Sequence, residues 1–143
     1  MDIKQVSVFL ENKKGRLSEV TRVLAGTGIN IRALFLADTT DFGVLRMIVN
    51  DAEKALSILK DNNFVAQQTD VIAVEVQDKP GGLSRILDVL GEKDINIEYM
   101  YAFVEKKVEN AIVVFKIDEH KEAIEALRKA DIGLVSAEVL GNL

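Results

Sequence analysis

Apolar and polar residues alternate over two short stretches, VSVFL (6–10) and VIAVEV (71–76). Strand periodicity puts Val6, Val8 and Leu10 on one face, and Ile72, Val74 and Val76 on the corresponding face of the second stretch. The period then changes. Leu17, Val20 and Leu24 form an apolar helical stripe, and Leu83, Ile86, Leu87 and Leu90 form another. Two strands follow each helix, NIRALFLA with GVLRMIV and INIEYMYAFV with AIVVFKI, joined by short polar loops that suit hairpins. Asp51 and Asp118 are placed to cap a second helix in each half, carrying Ala55, Leu56 and Leu59 or Ile124 and Leu127. FVAQQ (64–68) and LVSAEVL (134–140) read as closing strands.

The predicted order is βαββαβ, written twice. A shift of 66 residues sets Val6–Ala37 against Ile72–Phe103, and ten of those 32 positions are identical. Ordinary residue usage would leave about two. Further on, the shift grows by one or two residues, which puts an insertion near Thr39–Asp41 and Lys106–Val108. The expected fold is α+β: two ferredoxin-like domains, 1–69 and 70–143, with antiparallel sheets and helices on one face of each. Between the last strand of the first half and the first strand of the second stand Thr69 and Asp70.

A unit of about 70 residues buries little surface alone. Helices on one face would leave the other face of the sheet polar if it met water. The strands do not read that way. Ile31, Ala33, Phe35 and Ala37 alternate with Leu34 and Leu36, and Leu45, Met47 and Val49 alternate with Val44 and Ile48. Strands apolar on both faces predict a second covered surface and a chain that associates, at least as a homodimer.

Composition removes several classes of function. Eighteen basic against 23 acidic residues give a net charge of −5, with no basic block longer than two residues. Nucleic acid is a poor partner for such a chain, because phosphate binding needs concentrated positive charge. The sequence has no cysteine, which excludes disulfides, thiolate chemistry and the usual structural zinc sites. No segment reads as a signal peptide or a membrane span, so the expected location is the cytoplasm.

The candidate chemistry sits where the first strand of each half turns into its helix, ENKKGRLSEV (11–20) and QDKPGGLSRI (77–86). Lysine at a helix start runs against the usual preference for acidic residues there. A glycine in that turn allows close approach by a ligand, and the first helical N–H groups form an anion site. Lys13, Lys14 and Arg16, or Lys79, would reinforce it. Both halves begin their second strand with Ile-Asn-Ile, which places Asn30 and Asn96 as partners across from the turn. An Asn amide accepts from an ammonium and donates to a carboxylate. Carboxylate at the helix and ammonium at the Asn together describe an α-amino acid. The plainer reading is an ordinary glycine turn with solvated lysines and an Asn that ties a loop.

The stretch DKPGGLSRILDVLGEKDINIEYMYAFV resembles the ACT domain, a βαββαβ regulatory module whose opening reads loosely Asp-x-Pro-Gly-x-Leu, then an apolar helix, then Asn-Ile. The resemblance covers both halves. The first half departs from it at Lys14, where the family has proline. What the resemblance implies is a non-catalytic regulatory protein that binds a free amino acid between paired domains, with no cofactor and no metal. The implied binding positions are Asn12, Lys13, Gly15, Arg16, Leu17, Asn30 and Ile31, with Asp78, Pro80, Gly81, Gly82, Leu83, Asn96 and Ile97. Such modules usually serve a metabolic enzyme. No catalytic domain is attached here, so a free-standing tandem pair that informs an unidentified enzyme is expected.

Two rivals share the topology. An acylphosphatase-type enzyme would need a catalytic set, yet the single histidine, His120, sits in DEHKEA at a helix start with no Ser/His/Asp grouping around it. A single-stranded RNA-binding module would use Tyr99, Tyr101 and Phe103, which alternate onto one face. The acidic balance and the missing base-stacking motif oppose it. A buried interface explains those aromatics more simply.

Overall fold

The structure, a computed structural model, describes residues 3–38, 41–103 and 110–141. The chain divides into two compact units, Lys4–Thr69 and Asp70–Leu143, with Ile3 grouping with the second. The first unit contains β1 (Ile3–Glu11), α1 (Arg16–Ala25), β2 (Ile31–Asp38), β3 (Phe42–Val49), α2 (Ala52–Asp61) and the start of β4 (Val65–Val76). The rest of β4 opens the second unit, and Thr69 and Asp70 lie within the strand without a break. Then come α3 (Gly82–Glu92), β5 (Ile97–Ala102), β6 (Ala111–Ile117), α4 (His120–Lys129), β7 (Leu134–Val135) and α5 (Ala137–Gly141).

The strand order is β2-β3-β1-β4 in the first unit and β7-β4-β6-β5 in the second, the ferredoxin-like arrangement in both. Antiparallel register sets Val6 opposite Met47 and Val8 opposite Leu45. Those four pack with Val20 and Leu24 of α1 and Ala55 and Leu59 of α2. The second core repeats this with Ile72 opposite Phe115 and Val74 opposite Val113, against Ile86, Leu90, Ala123 and Leu127. Fully buried pairs at matching places, Leu24 with Leu90 and Leu59 with Leu127, show one packing plan used twice.

Four expectations change. LVSAEVL is not one strand: β7 stops after Val135 and α5 follows. Ser136 causes the switch, since its Oγ accepts from the Val139 N–H at 3.2 Å and its carbonyl accepts from Leu140 N. Ala and Glu favour the helix that this cap starts. Ile31 does not share a face with Ala33, because the β2–β3 register shifts between them. Ile31 therefore pairs with Val49 and packs on the core. Leu17, expected in the α1 stripe, is 40% exposed. Asp118 does not cap α4. The cap position is Glu119, which makes no side-chain cap bond, and Asp118 instead lies 3.8 Å from the Lys116 ammonium. The register explains the miss: Val49 repeats as Ile117, so Asp51 corresponds to Glu119.

The caps give a first prediction. Asp51 accepts from the Lys54 N–H at 3.1 Å and is a working N-cap. Asp51→Ala should lower stability by about 1 kcal/mol, a fall of about 2–4 °C in melting temperature. Asp118→Ala should leave the melt within about 1 °C, because an exposed ion pair contributes little. Equal losses in the two variants would refute the assignment.

Candidate functional site

Both strand-to-helix turns have the same backbone. Gly15 and Gly81, the N-cap positions of α1 and α3, each have φ of 87° in the left-handed region. Lys13 N–H donates to the Glu11 carbonyl at 2.8 Å, and Lys79 N–H to that of Gln77 at 2.9 Å. Arg16 N–H reaches the Lys13 carbonyl at 3.4 Å, and Gly82 N–H reaches that of Lys79 at 3.0 Å. The first helical bonds, Glu19 to Gly15 and Arg85 to Gly81, match as well. Glycine at the N-cap brings no capping side chain of its own to either helix. Each therefore presents first-turn N–H groups that lie outside the helix's own bonding pattern, the arrangement that suits an anion.

The two turns differ around that backbone. A cavity of about 90 Å³ at the first is lined by Leu10, Glu11, Asn12, Lys13, Arg16, Leu17, Leu36 and Gly43. Four candidate residues, Asn12, Lys13, Arg16 and Leu17, thus meet in one place, and the exposure of Leu17 is its contribution to that wall. The cations there already have partners. Lys13 Nζ lies 2.7 Å from Glu11 Oε2, and this contact holds the Glu11 carboxyl below its usual range. Arg16 pairs with Glu19 at 3.0 Å and lies over the Phe64 ring, 4.8 Å from its centre.

At the second turn Asp78, Lys79, Pro80 and Gly81 are exposed, Leu83 is half-buried and Gly82 is buried. A Cβ on Gly82 would stand 2.1 Å from the Gln77 carbonyl oxygen, so this glycine permits the close backbone approach. Beside it lies a cavity of about 120 Å³ lined by Glu75, Gln77, Gly82, Arg85, Ile86, Asn110, Asp131, Ile132 and Gly133. Among the candidate residues only Gly82 lines it. The sequence carried no signal for Glu75 or Arg85, which a strand period and a helix period place on polar faces.

The expected pairing of turn and Asn fails within a unit. Glu11 pairs with Phe42 at one end of β3, whereas Ile31, next to Asn30, pairs with Val49 at the other. That interval of seven residues spans roughly 23 Å at strand rise. In the second unit Val76 pairs with Ala111 and Ile97 with Ile117, roughly 20 Å apart by the same measure. The cause is chain direction. The helix carries the chain back along the sheet, so β2 begins at the far end and runs parallel to β1. Ile31 and Ile97 pack on the two cores. The loop before β2 is tied by Asn50, which sequence reasoning missed: its Oδ1 accepts from Asn30 N–H at 2.9 Å and its Nδ2 donates to the Gly28 carbonyl at 3.2 Å. Asn30 takes part there through its backbone, and Asn30 and Asn96 are both exposed.

Among the described residues no group of acidic, His or Cys side chains could hold a metal ion, and no helix is long and apolar enough to cross a membrane. His120 is the first residue of α4.

Comparison with known proteins agrees with the duplicated geometry. The sequence model of the ACT domain pair matches residues 1–143. The crystal structure of protein BT0572 from Bacteroides thetaiotaomicron superposes with a TM-score of 0.93 at 44% identity, covering 100% of this chain and 98% of that one. The ligand-free regulatory subunit of aspartate kinase from Thermus thermophilus superposes with a TM-score of 0.63 at 18% identity, over 90% of this chain and 92% of that one. Among curated proteins, a probable translation initiation factor IF-2 of Methanobrevibacter smithii is 24% identical over 92% of this chain. The chain spans 24% of that protein's length.

Proposed function

The chain belongs to the ACT domain pair family, and from that premise we propose that it is a non-catalytic regulatory protein that binds a free amino acid at an interface between ACT domains. The observation that carries this reading is the duplicated turn, two helix starts with left-handed glycines at the N-cap and one backbone bonding pattern. The ligand carboxylate takes the first-turn N–H groups, with Lys13 or Lys79 beside it. Its ammonium takes an Asn amide oxygen. Turn and Asn of one unit stand roughly 20 Å or more apart along the sheet, far beyond the span of an α-amino acid. The Asn must therefore come from a second domain, and the reading takes that domain from the partner in a homodimer. The domains are 1–69 and 70–143. The fold shared with aspartate kinase regulatory subunits supports a role in informing a metabolic enzyme, and a cytoplasmic location suits that role.

A thermal-shift screen against the twenty amino acids tests the reading. One or a few should raise the melting temperature, since a ligand held only by the folded state stabilises it by about 2.7 kcal/mol at a hundredfold excess over its Kd. Asn30→Ala or Asn96→Ala should weaken that ligand about ten- to a hundredfold in calorimetry while the melt of the free protein is unchanged. Silence from every amino acid at millimolar concentration would sink the proposal, and hydrolysis of an acyl phosphate would overturn its non-catalytic part.

A further inference from the structure

We infer that the cavity beside the second turn binds the guanidinium group of a small molecule, at a place where the first unit supplies a guanidinium from its own chain. The two units correspond residue by residue here. Gly82 repeats Arg16, and Arg85 repeats Glu19. Ile132 repeats Phe64: each N–H donates at 2.9 Å to the carbonyl of a fully buried helix leucine, Leu127 or Leu59. The residues just before them, Asp131 and Asn63, both adopt positive φ, 59° and 65°.

In the first unit this corner is filled. The Arg16 guanidinium lies over the Phe64 ring and donates to Glu19 at 3.0 Å. In the second unit Gly82 has no side chain to send there and Ile132 is smaller than the ring. The cavity of about 120 Å³ takes up the difference. Polarity changes along with volume. Phe9 and Phe42 of the first unit are repeated as Glu75 and Asn110, and both of these line the cavity.

The charges on the wall favour a cation. Two carboxylate residues line it, Glu75 and Asp131, and among the described residues neither forms an ion pair. The cation on the same wall, Arg85, donates from Nη2 to the Ala130 carbonyl at the C-cap of α4. Gly133, where the first unit has Val65, makes room for one carboxylate: a Cβ there would stand 3.0 Å from Glu75 Oε2. A guanidinium presents five N–H donors in one plane and pairs with carboxylates through parallel bonds. The volume admits such a head on a short stem, well below the roughly 300 Å³ at which drug-sized pockets begin. All of the lining residues belong to Asp70–Leu143, so the site needs no second domain and stands without the amino-acid reading.

Butylguanidinium and butylurea make the test, since they share a shape and differ in charge. Butylguanidinium should saturate one site per chain in calorimetry with a Kd of about a millimolar or tighter. Butylurea should bind at least about tenfold more weakly. Glu75→Gln and Asp131→Asn should each weaken butylguanidinium about tenfold. Both residues are exposed, so the melt of the free protein should stay within about 1 °C. Gly133→Ala should weaken binding too, by displacing the Glu75 carboxylate, and Gly133 lies outside the left-handed region, so the fold should be little affected. Asn96→Ala, which probes the amino-acid site, should leave butylguanidinium binding unchanged. Failure to saturate at about 10 mM, or equal binding of butylurea, overturns the inference. Wild-type affinity in either Glu75→Gln or Asp131→Asn overturns it as well, since the cation would then bind elsewhere on an acidic surface.

Discussion

Phe115→Ala is expected to destabilise the protein by about 3–5 kcal/mol, the range for deleting a buried aromatic ring and leaving a cavity. Among the described residues Phe115 is the largest fully buried side chain, at 0% exposure, and it stands opposite Ile72 in the second core. α3 and α4 close over it through Ile86, Leu90, Ala123 and Leu127. Those are aliphatic residues set on two helices, and they cannot collapse into the vacated volume without moving whole elements. Met47 holds the matching place in the first core and is also fully buried. Met47→Ala should cost somewhat less, about 2–4 kcal/mol, because the deleted side chain is smaller and the site relaxes more easily. Chemical denaturation of both variants decides the order. A loss under about 1 kcal/mol for Phe115→Ala would mean that the second core is not the packed unit described.

Gly82→Ala is expected to lower stability by about 2–3 kcal/mol, more than a surface turn usually loses. The added methyl would sit 2.1 Å from the Gln77 carbonyl oxygen and 3.1 Å from its carbon, and both are backbone atoms. The first unit shows how the turn must open. It carries Arg16 at the same place, and its bond from that N–H to the Lys13 carbonyl is stretched to 3.4 Å against 3.0 Å at Gly82. Gly81→Val acts differently. A Cβ at Gly81 meets nothing within 4 Å, so the loss arises from a φ of 87° alone. About 1–2 kcal/mol is the usual size of that strain. A melting temperature for Gly82→Ala within about 1 °C of wild type would show that the turn opens freely, and the close approach would then have no energetic weight.

Much of the fold was legible because its signals are local. Val6 and Val8 alternate, Leu24 falls one helical period beyond Val20, and Gly15 and Gly81 sit where a strand must turn into a helix. Asp51 announces a helix start through its own side chain. Each signal operates within four or five residues. The doubling of Lys13, Gly15, Leu17 and Asn30 at Lys79, Gly81, Leu83 and Asn96 then identified the chain as one unit used twice. Less was legible where a residue's role depends on what lies beside it. Periodicity put Leu17 on the apolar face of α1 but could not show that the face overhangs an edge strand. Asn50 gave no hint that it, and not the Asn30 side chain, ties the loop. Asp118 read as a cap because the insertion before β6 moved the true correspondence by one position.

The sequence alone determined the βαββαβ order, the two turns with their left-handed glycines and the apolar faces that make each core, since hydrophobic period and backbone preference act over short spans of chain. Tertiary structure decided which end of the sheet each turn occupies, which strand lies at the edge and whether Asn30 can meet the turn of its own unit. Those outcomes depend on chain direction through α1 and on strand pairing between residues far apart in sequence, so no local preference of the residues involved contains them.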